Sequence, residues 1–343
     1  MTKKISRWKG MALLAAGITA SMGSTASAGS FALYQLHTSG SIWGYTGTPC
    51  KGSVCSGWVE LDDNPNTIQI VAGGGSLYEL HSDGVVWRWT GINCTGSSCP
   101  GWVEIDNNPT NPARQIIGKV GLLYERRADN SLWQFTGQVC NGSNCPGWRQ
   151  LDNNLLAGVF VSADGLIETR VNETFTPEYS FWAYTGTPCT GSSCPGWVEI
   201  DMTGSDDDSF TVGLNGAYEL LGSGEMRQYT GPPCGETCTG WLPIDNNPNT
   251  TVITAANNLY QLQNNGSVWQ YYGTPCSGNN CSGWLELDDN PAISYIIAEQ
   301  NTVYEQHKDG SIWQFTGQGC SSEGCPGWVK LDDNPLTRWL VPD

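Results

Sequence analysis

The sequence predicts an all-β fold: a seven-bladed β-propeller with four-stranded antiparallel blades. The main observation is a unit that recurs seven times, with successive first cysteines 42 to 49 residues apart. Repeats of this length that contain several short strands are typical of propeller blades. Solenoid repeats of similar length are helical, whereas these units have neither helical periodicity nor helix caps. Glycine and proline recur every few residues, which also favours strands joined by turns.

Each unit resolves into four short strands, which are clearest in the second unit. There the predicted strands are Thr67–Ala72, Ser76–His81, Val85–Thr90 and Gly101–Asp106. The middle pair is joined by Asp83-Gly84, which predicts a two-residue hairpin because both positions of such a turn take positive φ. Most units close with Asp-x-Asn-Pro, as at 62–65, which predicts a turn that ends the outer strand.

The two ends of the repeat region predict how the ring closes. The pattern starts inside a unit, at the second strand Leu33–His37, and ends with a lone first-strand segment, Thr337–Pro342. We expect this last segment to join the first blade as its innermost strand. The closure would give seven complete blades and leave no bare sheet edge at the seam.

Residues 1–28 have the three parts of a secretory signal peptide: a basic start, an apolar run from Met11 to Ala20, and the motif Ala26-Ser27-Ala28. The apolar run is too short to span a bilayer. We therefore predict a secreted, extracellular protein without membrane insertion, in which residues 29–343 form a single propeller domain. The net charge of −17 argues against nucleic acid as a partner, because phosphate contacts need clustered lysine and arginine.

All 14 cysteines fall into seven pairs, one in each unit. The pairs are Cys50 with Cys55, Cys94 with Cys99, Cys140 with Cys145, Cys189 with Cys194, Cys234 with Cys238, Cys276 with Cys281, and Cys320 with Cys325. An even set in a secreted chain predicts disulfides, each closing the loop between the third and outer strands. Zinc is the alternative, but its four ligands would require two pairs to meet across blades.

The register between the second and third strands decides which side chains share a face. A two-residue hairpin places Glu79 opposite Arg88, with His81 on their face and Tyr78 and Trp87 on the other. Neighbouring blades would then enclose a crevice with one aromatic and one polar wall. Pyranose sugars suit such a crevice, because their C–H groups stack on rings while their hydroxyls form hydrogen bonds.

The candidate carbohydrate-binding residues are the repeated members of these two walls. They are the third-strand tryptophans Trp43, Trp87, Trp133, Trp269 and Trp313; the second-strand residues Gln35, Glu79, Glu125, Gln261 and Glu305 with His37, His81 and His307; and the third-strand residues Arg88, Gln134, Gln270 and Gln314. The third-strand tryptophan is absent from the fifth unit, where Arg227 takes its place, so the position is not essential to a blade.

Structural roles remain open for these positions. A polar residue that recurs at one strand position can instead satisfy a network between blades, because buried polar groups need partners. The Gly-Trp tryptophans, as in Trp58 and Trp102, occur in all seven units, so we interpret them as core. The recurring aspartate, as in Asp62, allows calcium, but turn chemistry explains it better. We predict no metal and no other cofactor.

The repeated motif resembles that of a known family. The unit L-Y-x-L-H-x-x-G-x-I-W-x-Y-x-G, followed by G-W-x-x-L-D-x-N-P-x-T, is similar to the tectonin/tachylectin group of β-propeller lectins, and most similar to secreted seven-bladed lectins of fungi and bacteria. The resemblance covers about residues 33–342. It implies sugar binding in several pockets between adjacent blades, without catalysis, and some members bind calcium. The cysteine pair in every unit departs from many members.

Three functions follow in decreasing order of support. The first is a multivalent lectin that binds glycans or glycoconjugates on cell surfaces. The alternative is a non-enzymatic adhesion or protein-interaction propeller, which would bind one partner through a surface near the irregular fourth and fifth units. An enzyme is least supported, because catalysis needs a singular constellation of residues and every histidine here occupies a repeated position.

Overall fold

The computed structural model describes residues 31–343 except 74, 120–121, 155–156, 163–164, 173–177, 205–208, 232–233, 235–237 and 323. These residues form seven four-stranded antiparallel sheets, which confirms the predicted seven-bladed propeller. The predicted signal peptide, residues 1–28, lies outside the described residues. Within the described part of the chain, no helix is long and apolar enough to cross a membrane.

Each blade uses its four strands in the same order from the axis outwards. The innermost strands are β4 (Thr67–Gly73), β8 (Ala113–Lys119), β12 (Ala157–Ser162), β16 (Ser209–Gly213), β20 (Thr250–Ala255), β24 (Ile293–Glu299) and β28 (Thr337–Pro342). The second strands are β1 (Leu33–His37), β5 (Ser76–His81), β9 (Leu122–Arg127), β13 (Gly165–Asn172), β17 (Gly216–Leu220), β21 (Leu259–Gln263) and β25 (Thr302–His307).

The two remaining strands complete each sheet towards the rim. The third strands are β2 (Ile42–Tyr45), β6 (Val86–Trp89), β10 (Leu132–Phe135), β14 (Glu178–Tyr184), β18 (Met226–Tyr229), β22 (Val268–Tyr271) and β26 (Ile312–Phe315). The outer strands are β3 (Trp58–Asp62), β7 (Trp102–Asp106), β11 (Trp148–Asp152), β15 (Trp197–Gly204), β19 (Trp241–Asp245), β23 (Trp284–Asp288) and β27 (Trp328–Asp332). The innermost strands contact one another in a closed circle, so they line the axis.

The ring closes as predicted. Strand β28 pairs antiparallel with β1 and supplies the innermost strand of blade 1, whose other strands are β1, β2 and β3. Leu340 of β28 is buried in a cluster with Tyr304 and Leu331 of blade 7. The C-terminal strand therefore connects the first and last blades through both hydrogen bonds and apolar packing.

The predicted register between the second and third strands is wrong by one residue. In blade 2 the loop is Ser82-Asp83-Gly84, since the His81 amide donates to the Val85 carbonyl. Of the two predicted turn residues only Gly84 has positive φ, at 89°, which is typical of a type I turn followed by a glycine bulge. Glu79 consequently lies opposite Trp87, and a shift of one residue exchanges the faces of the third strand.

The hydrophobic core lies between blades. One cluster joins Tyr34, Leu36 and Leu61 of blade 1 to Leu77 and Trp89 of blade 2. The Gly-Trp tryptophans pack at the same interfaces, and the indole Nε1 of each donates to a carbonyl of the preceding blade at 2.9–3.2 Å; they are Trp58, Trp102, Trp148, Trp197, Trp241, Trp284 and Trp328. Their interpretation as core residues is confirmed.

The cysteines form seven disulfides, as predicted, and every cysteine of the chain is used. The amide of the first cysteine in each pair donates to a carbonyl on the outer strand of the preceding blade, at 2.9–3.2 Å. At the seam this bond runs from Cys50 to Lys330. Each disulfide is thus linked by a hydrogen bond to the outer strand of the preceding blade, which is the exposed edge of its sheet.

Candidate functional site

The structure divides the predicted site residues between two faces of each blade. The Glu/Gln position, the position two residues later and the third-strand tryptophan share the face towards the preceding blade, as Glu79, His81 and Trp87 do. The third-strand residues Arg88, Gln134, Gln270 and Gln314 lie on the opposite face, towards the following blade. The prediction that Glu79 and Arg88 share a face is therefore wrong.

The first group forms a buried polar cluster at each interface, illustrated by blade 2. Glu79 is 2% exposed and accepts a hydrogen bond from the Thr67 hydroxyl at 2.9 Å. His81 Nε2 lies 3.1 Å from Glu79 Oε1, and the His81 ring lies 5.9 Å from the ring of Trp87. Asp62 of blade 1 completes the cluster, and the Glu79 charge acts on its carboxyl.

Arginine replaces histidine in blades 3 and 4. Arg127 donates from Nε to Glu125 at 2.6 Å and from Nη2 to Asp106 of the preceding blade at 3.2 Å. Its guanidinium carbon lies 4.4 Å from the centre of the Trp133 ring, which is a cation–π contact. Arg170 of blade 4 is placed in the same way over Trp182.

Blade 5 explains the one missing third-strand tryptophan. Leu221 occupies the position that holds histidine or arginine in blades 2 to 4, so that position supplies no cation. Arg227, which stands where other blades have tryptophan, instead pairs with Glu219 and with Asp201 at 3.1 Å. The cation reaches the same pair of carboxylates from the neighbouring strand, so Arg227 is a structural replacement rather than a damaged binding position.

Blades 1 and 6 have glutamine in place of glutamate. Gln35 Nε2 donates to Asp332 of blade 7, and Gln261 Nε2 donates to Asp245 of blade 5, both at 2.9 Å. Neither blade places a cation between two carboxylates: blade 6 has Gln263, and burial lowers the pKa of His37 although the Asp332 charge opposes it.

Burial changes the acidity of several carboxyls in these clusters. Burial first, and the neighbouring Asp106 second, raise the pKa of Glu125 to about 8, with Arg127 acting against them. Burial and the Glu79 charge raise the pKa of Asp62 to about 7. The polar contacts of these side chains are thus with one another, and their role in sugar binding stays a prediction.

The second group of predicted residues lines open pockets between blades. We call the side of the ring that carries the turns between innermost and second strands the bottom side, and the opposite side the top side. A bottom-side pocket of about 590 Å³ lies between blades 5 and 6, and another of about 700 Å³ lies between blades 7 and 1. Gln270 lines the first pocket and Gln314 lines the second.

The two pockets share residues that the sequence analysis did not select. Tyr218 and Gln228 of blade 5 occupy the positions of Tyr304 and Gln314 of blade 7, and each pair lines its pocket. The signal was present in the sequence, because this tyrosine recurs in the Leu-Tyr motif of most units. The predicted register, however, placed it on the face away from the glutamine.

The tyrosine hydroxyls in these pockets are neutral. Burial, with a contribution from Tyr271, raises the pKa of Tyr218 to about 12, and burial with Glu299 does the same for Tyr304. The seam pocket also contains Asp343, whose charge adds to burial in raising the pKa of Glu299 to about 7. Both pockets therefore offer neutral hydroxyls and amides beside aromatic rings, and the seam pocket adds the carboxyls of Glu299 and Asp343.

Two other blades differ at the same place. Gly44 of blade 1 stands where blades 3, 5, 6 and 7 have glutamine, and the Phe31 ring takes the space, 5.9 Å from Tyr34 and 5.7 Å from Trp89. A Cβ on Gly44 would lie 2.6 Å from that ring, so the glycine is required there. In blade 3, Gln134 accepts a hydrogen bond from Arg149.

The recurring aspartate acts in turns and in the polar clusters. Asp62 accepts the amide of Asn64 at 3.1 Å, which supports its interpretation as a turn residue. Among the described residues, each group of side chains close enough to share a metal ion includes a cysteine sulfur that is already in a disulfide. The geometry of the described residues therefore gives calcium no support.

Comparison with known proteins supports the fold. No protein-family model matches the chain, and no curated protein matches it. The structure is similar to Prp20p from Saccharomyces cerevisiae, with 10% identity over 80% of this chain and 78% of that chain and a TM-score of 0.50. It is also similar to a chain of yeast RCC1 (Prp20) bound by Kap60, with 9% identity, 98% and 91% coverage and a TM-score of 0.53. The tectonin resemblance stays a prediction.

Proposed function

We propose that the protein is a secreted, non-enzymatic lectin that binds glycans in the bottom-side pockets between adjacent blades. The observation that carries the proposal is the repetition of one pocket at two interfaces. Tyrosine and glutamine of one blade line it both between blades 5 and 6 and between blades 7 and 1. A pocket that recurs with the repeat fits a ligand that is itself repeated, as the sugars of a glycan are.

The chemistry of the pocket suits a pyranose. Tyr272, which is 54% exposed, offers a ring face at the pocket between blades 5 and 6, and Tyr271 lies next to it. Sugar C–H groups stack on such rings, while hydroxyls bond to the amides of Gln228 and Gln270. The raised pKa of Tyr218 keeps its hydroxyl protonated at neutral pH, so it both donates and accepts.

Multivalency would give a rigid ring its affinity for surfaces. Individual sugar sites are weak, but two or more sites on one body raise the apparent affinity by about 10²–10⁴ when the ligand is dense. The signal peptide predicts that the protein meets such surfaces outside the cell. The disulfides are compatible with that oxidising environment.

The test is a glycan array of residues 29–343, followed by calorimetry on the best ligand. We expect at least two sites per chain. Gln228→Ala and Gln314→Ala should each remove one site and the double variant should remove both. Gln134→Ala, at the same strand position but lining neither pocket, serves as the matched control. Binding that is instead lost in Trp269→Ala and Trp313→Ala would move the sites to the opposite blade face.

A glycan array on which no glycan is bound would contradict the proposed lectin function. The alternative is then a protein-interaction propeller, a use of this fold for which Prp20p, which binds Gsp1p and histones, is an example. That alternative predicts a single site and a 1:1 complex with a protein, which calorimetry distinguishes from repeated sugar sites.

A further inference from the structure

A single groove on the top side of the seam differs from every other interface. It lies between blades 7 and 1, has a volume of about 450 Å³, and is lined by Tyr295, Gln306, Lys308, Arg338 and Trp339 among others. Trp339 is 46% exposed, whereas the other tryptophans among the described residues are buried or partly buried. The repeat provides internal controls, because each of these residues has equivalents in the other blades.

Two residues of the groove are aromatic where the equivalent residues of the other blades are small, aliphatic or amide residues. Tyr295 and Trp339 occupy one position of the innermost strand in blades 7 and 1, next to the strand bulge. The equivalents in the other blades, by strand register, are Gln69, Gln115, Gly158, Ser209 and Val252. Aromatic side chains therefore stand at this position only on the two strands that border the groove.

The floor of the groove is polar. Gln306 takes a second-strand position that holds a buried leucine in four blades, as Leu80 and Leu262 illustrate, whereas blades 3 and 4 also have a polar residue there, Arg126 and Thr169. Its Nε2 donates to the Thr337 carbonyl of β28 at 2.8 Å, which ties the two blades together below the groove. A leucine at this position would pack into the interface, whereas Gln306 leaves a polar cleft there.

Two cations stand beside the aromatic rings in a chain with a net charge of −17. Arg338 is exposed, and none of the described carboxylates lies within ion-pair distance of it. Lys308 Nζ donates to the Pro291 carbonyl at 2.9 Å, so it too has no described carboxylate partner. Asp309, which follows Lys308 in the chain, accepts hydrogen bonds from the amide and hydroxyl of Ser311.

We propose that this groove is a separate binding site for an acidic sugar, one that carries a carboxylate or a sulfate. The sugar ring stacks on Trp339, and its acidic group pairs with Arg338 and Lys308. A guanidinium binds carboxylate and sulfate through two parallel hydrogen bonds, while the indole supplies the apolar contact. Strand bulges commonly re-aim side chains at sites, and the bulge at Arg338 leaves both it and Trp339 exposed.

The test titrates residues 29–343 with three probes of equal length: oligogalacturonate, a sulfated oligosaccharide and neutral oligogalactose. We expect one site per chain for at least one acidic probe, weaker binding at higher salt, and none for the neutral probe. The acidic probe that binds more tightly identifies the group recognised. Trp339→Ala and Arg338→Ala should each weaken binding by about tenfold or more.

The matched control is Arg114→Ala. Arg114 occupies the position of Arg338 in blade 3 and is also exposed, but Gln115 follows it in place of tryptophan. Equal losses in Arg114→Ala and Arg338→Ala would overturn the proposal, since they would show diffuse attraction to cations. Absence of binding by both acidic probes, or equal binding of an Asp/Glu-rich peptide, would also overturn it.

Two further measurements protect the conclusion. Trp339→Phe retains an aromatic ring, so it should keep most of the binding if Trp339→Ala loses binding because stacking is lost. Unchanged melting temperatures of both variants would exclude misfolding as the cause. Gln228→Ala and Gln314→Ala should leave the acidic probe unaffected. Failure of the bottom-side pockets is thereby distinguished from failure of this groove, which does not depend on them.

Discussion

The interfaces between blades are of two kinds, and their difference shows what the repeated glutamate is for. Blade 3 places Glu125 against Asp106 and adds Arg127 to the pair. Blade 6 has Gln261 against Asp245, where the amide donates directly to the carboxylate and no cation is needed. Wherever two carboxyls meet across an interface, a histidine or arginine forms an ion pair with at least one of them. Where glutamine replaces glutamate, no such ion pair forms among the described residues, although blade 1 keeps His37 two residues after Gln35.

The glutamate and the cation paired with it vary together, while the aspartate of the preceding blade is present at all seven interfaces. Blade 5 is the clearest case, because its cation comes from Arg227 on a different strand and still reaches Glu219 and Asp201. A ligand site would constrain the position of a side chain, whereas this cluster constrains only its charge. Four predictions test the difference between the two kinds of interface, in order of decreasing effect on stability.

Deleting residues 336–343 should destabilise the glutamine-type interface at the seam most. The deletion removes the Thr337 hydroxyl that donates to Gln35 at 2.7 Å, the buried Leu340 and a whole strand of backbone hydrogen bonds. Burial of a leucine and each hydrogen bond contribute about 1–3 kcal/mol, so we expect a loss of at least about 5 kcal/mol. Thermal unfolding measures it, and an unchanged melting temperature would contradict the role of β28 in closure.

Replacing Arg127 by glutamine should be the most damaging single substitution among the clusters. It leaves Glu125 and Asp106 buried together without a cation, which costs about 3–5 kcal/mol. The double variant Arg127→Gln with Glu125→Gln copies Gln261 and Gln263 of blade 6 and should recover most of that loss. Chemical denaturation measures the free energy of unfolding of both variants, and Arg114→Gln, on the exposed surface, is the control. A double variant no more stable than the single variant would show that the buried carboxyl pair does not require a cation.

The pH dependence of stability should differ between the two kinds of interface. Burial disfavours the His81 cation, but the Glu79 hydrogen bond and the charges of Glu79, Asp83 and Asp62 outweigh it, so the pKa of His81 is raised. The pKa of Asp62 is also raised, to about 7. Both groups bind protons more tightly when folded, so both stabilise the fold at low pH and lose that contribution as pH rises through their folded pKa values.

The variant Glu79→Gln with His81→Gln weakens this dependence at one interface, because it removes the His81 contribution while burial still raises the pKa of Asp62. Between pH 5 and pH 9, we expect the wild type to lose on the order of 1 kcal/mol more than the variant. Unfolding midpoints across this range give the difference. Parallel curves for the two proteins would show that the cluster does not titrate.

The smallest effect concerns a single missing hydrogen-bond acceptor. In five blades the third-strand indole donates to a serine two residues earlier, as Trp133 does to Ser131 at 2.8 Å. Blade 2 has Val85 at that position, and Trp87 Nε1 is buried without a partner. Val85→Ser should stabilise the protein by about 0.5–1 kcal/mol, and Ser131→Val should destabilise it similarly. A fall in stability for Val85→Ser would count against the comparison.

The fold could be predicted because its signals are local and repeated seven times. The strand Ser76–His81 and the closing strand Thr337–Pro342 were predicted with the bounds that the structure has. The site could not be predicted as well, because the faces depend on a turn that Asp83-Gly84 does not determine. Whether the loop has two residues or three is decided by packing of the whole blade, and a difference of one residue moved Trp87 to the face of Glu79.

The residues of the seam show a second limit. Tyr295 and Trp339 are separated by 44 positions in the chain and become neighbours only through the ring. Each looks like an ordinary departure from the repeat when its own unit is considered alone. They share a groove only because β28 packs beside blade 7, and the sequence pattern predicts that contact only if the ring is assumed to close.

The pairing of β1 with β28 also determines when the protein can finish folding. Gln35 and Asp332 bond across 297 residues, so the first blade to leave the ribosome is the last to acquire its innermost strand. Contacts this distant in sequence slow folding, because the chain must close a very long loop before they form. During synthesis blades 2 to 6 can assemble side by side, whereas blade 1 stays incomplete until β28 has been made. The ring can therefore close only after all seven units have been synthesised.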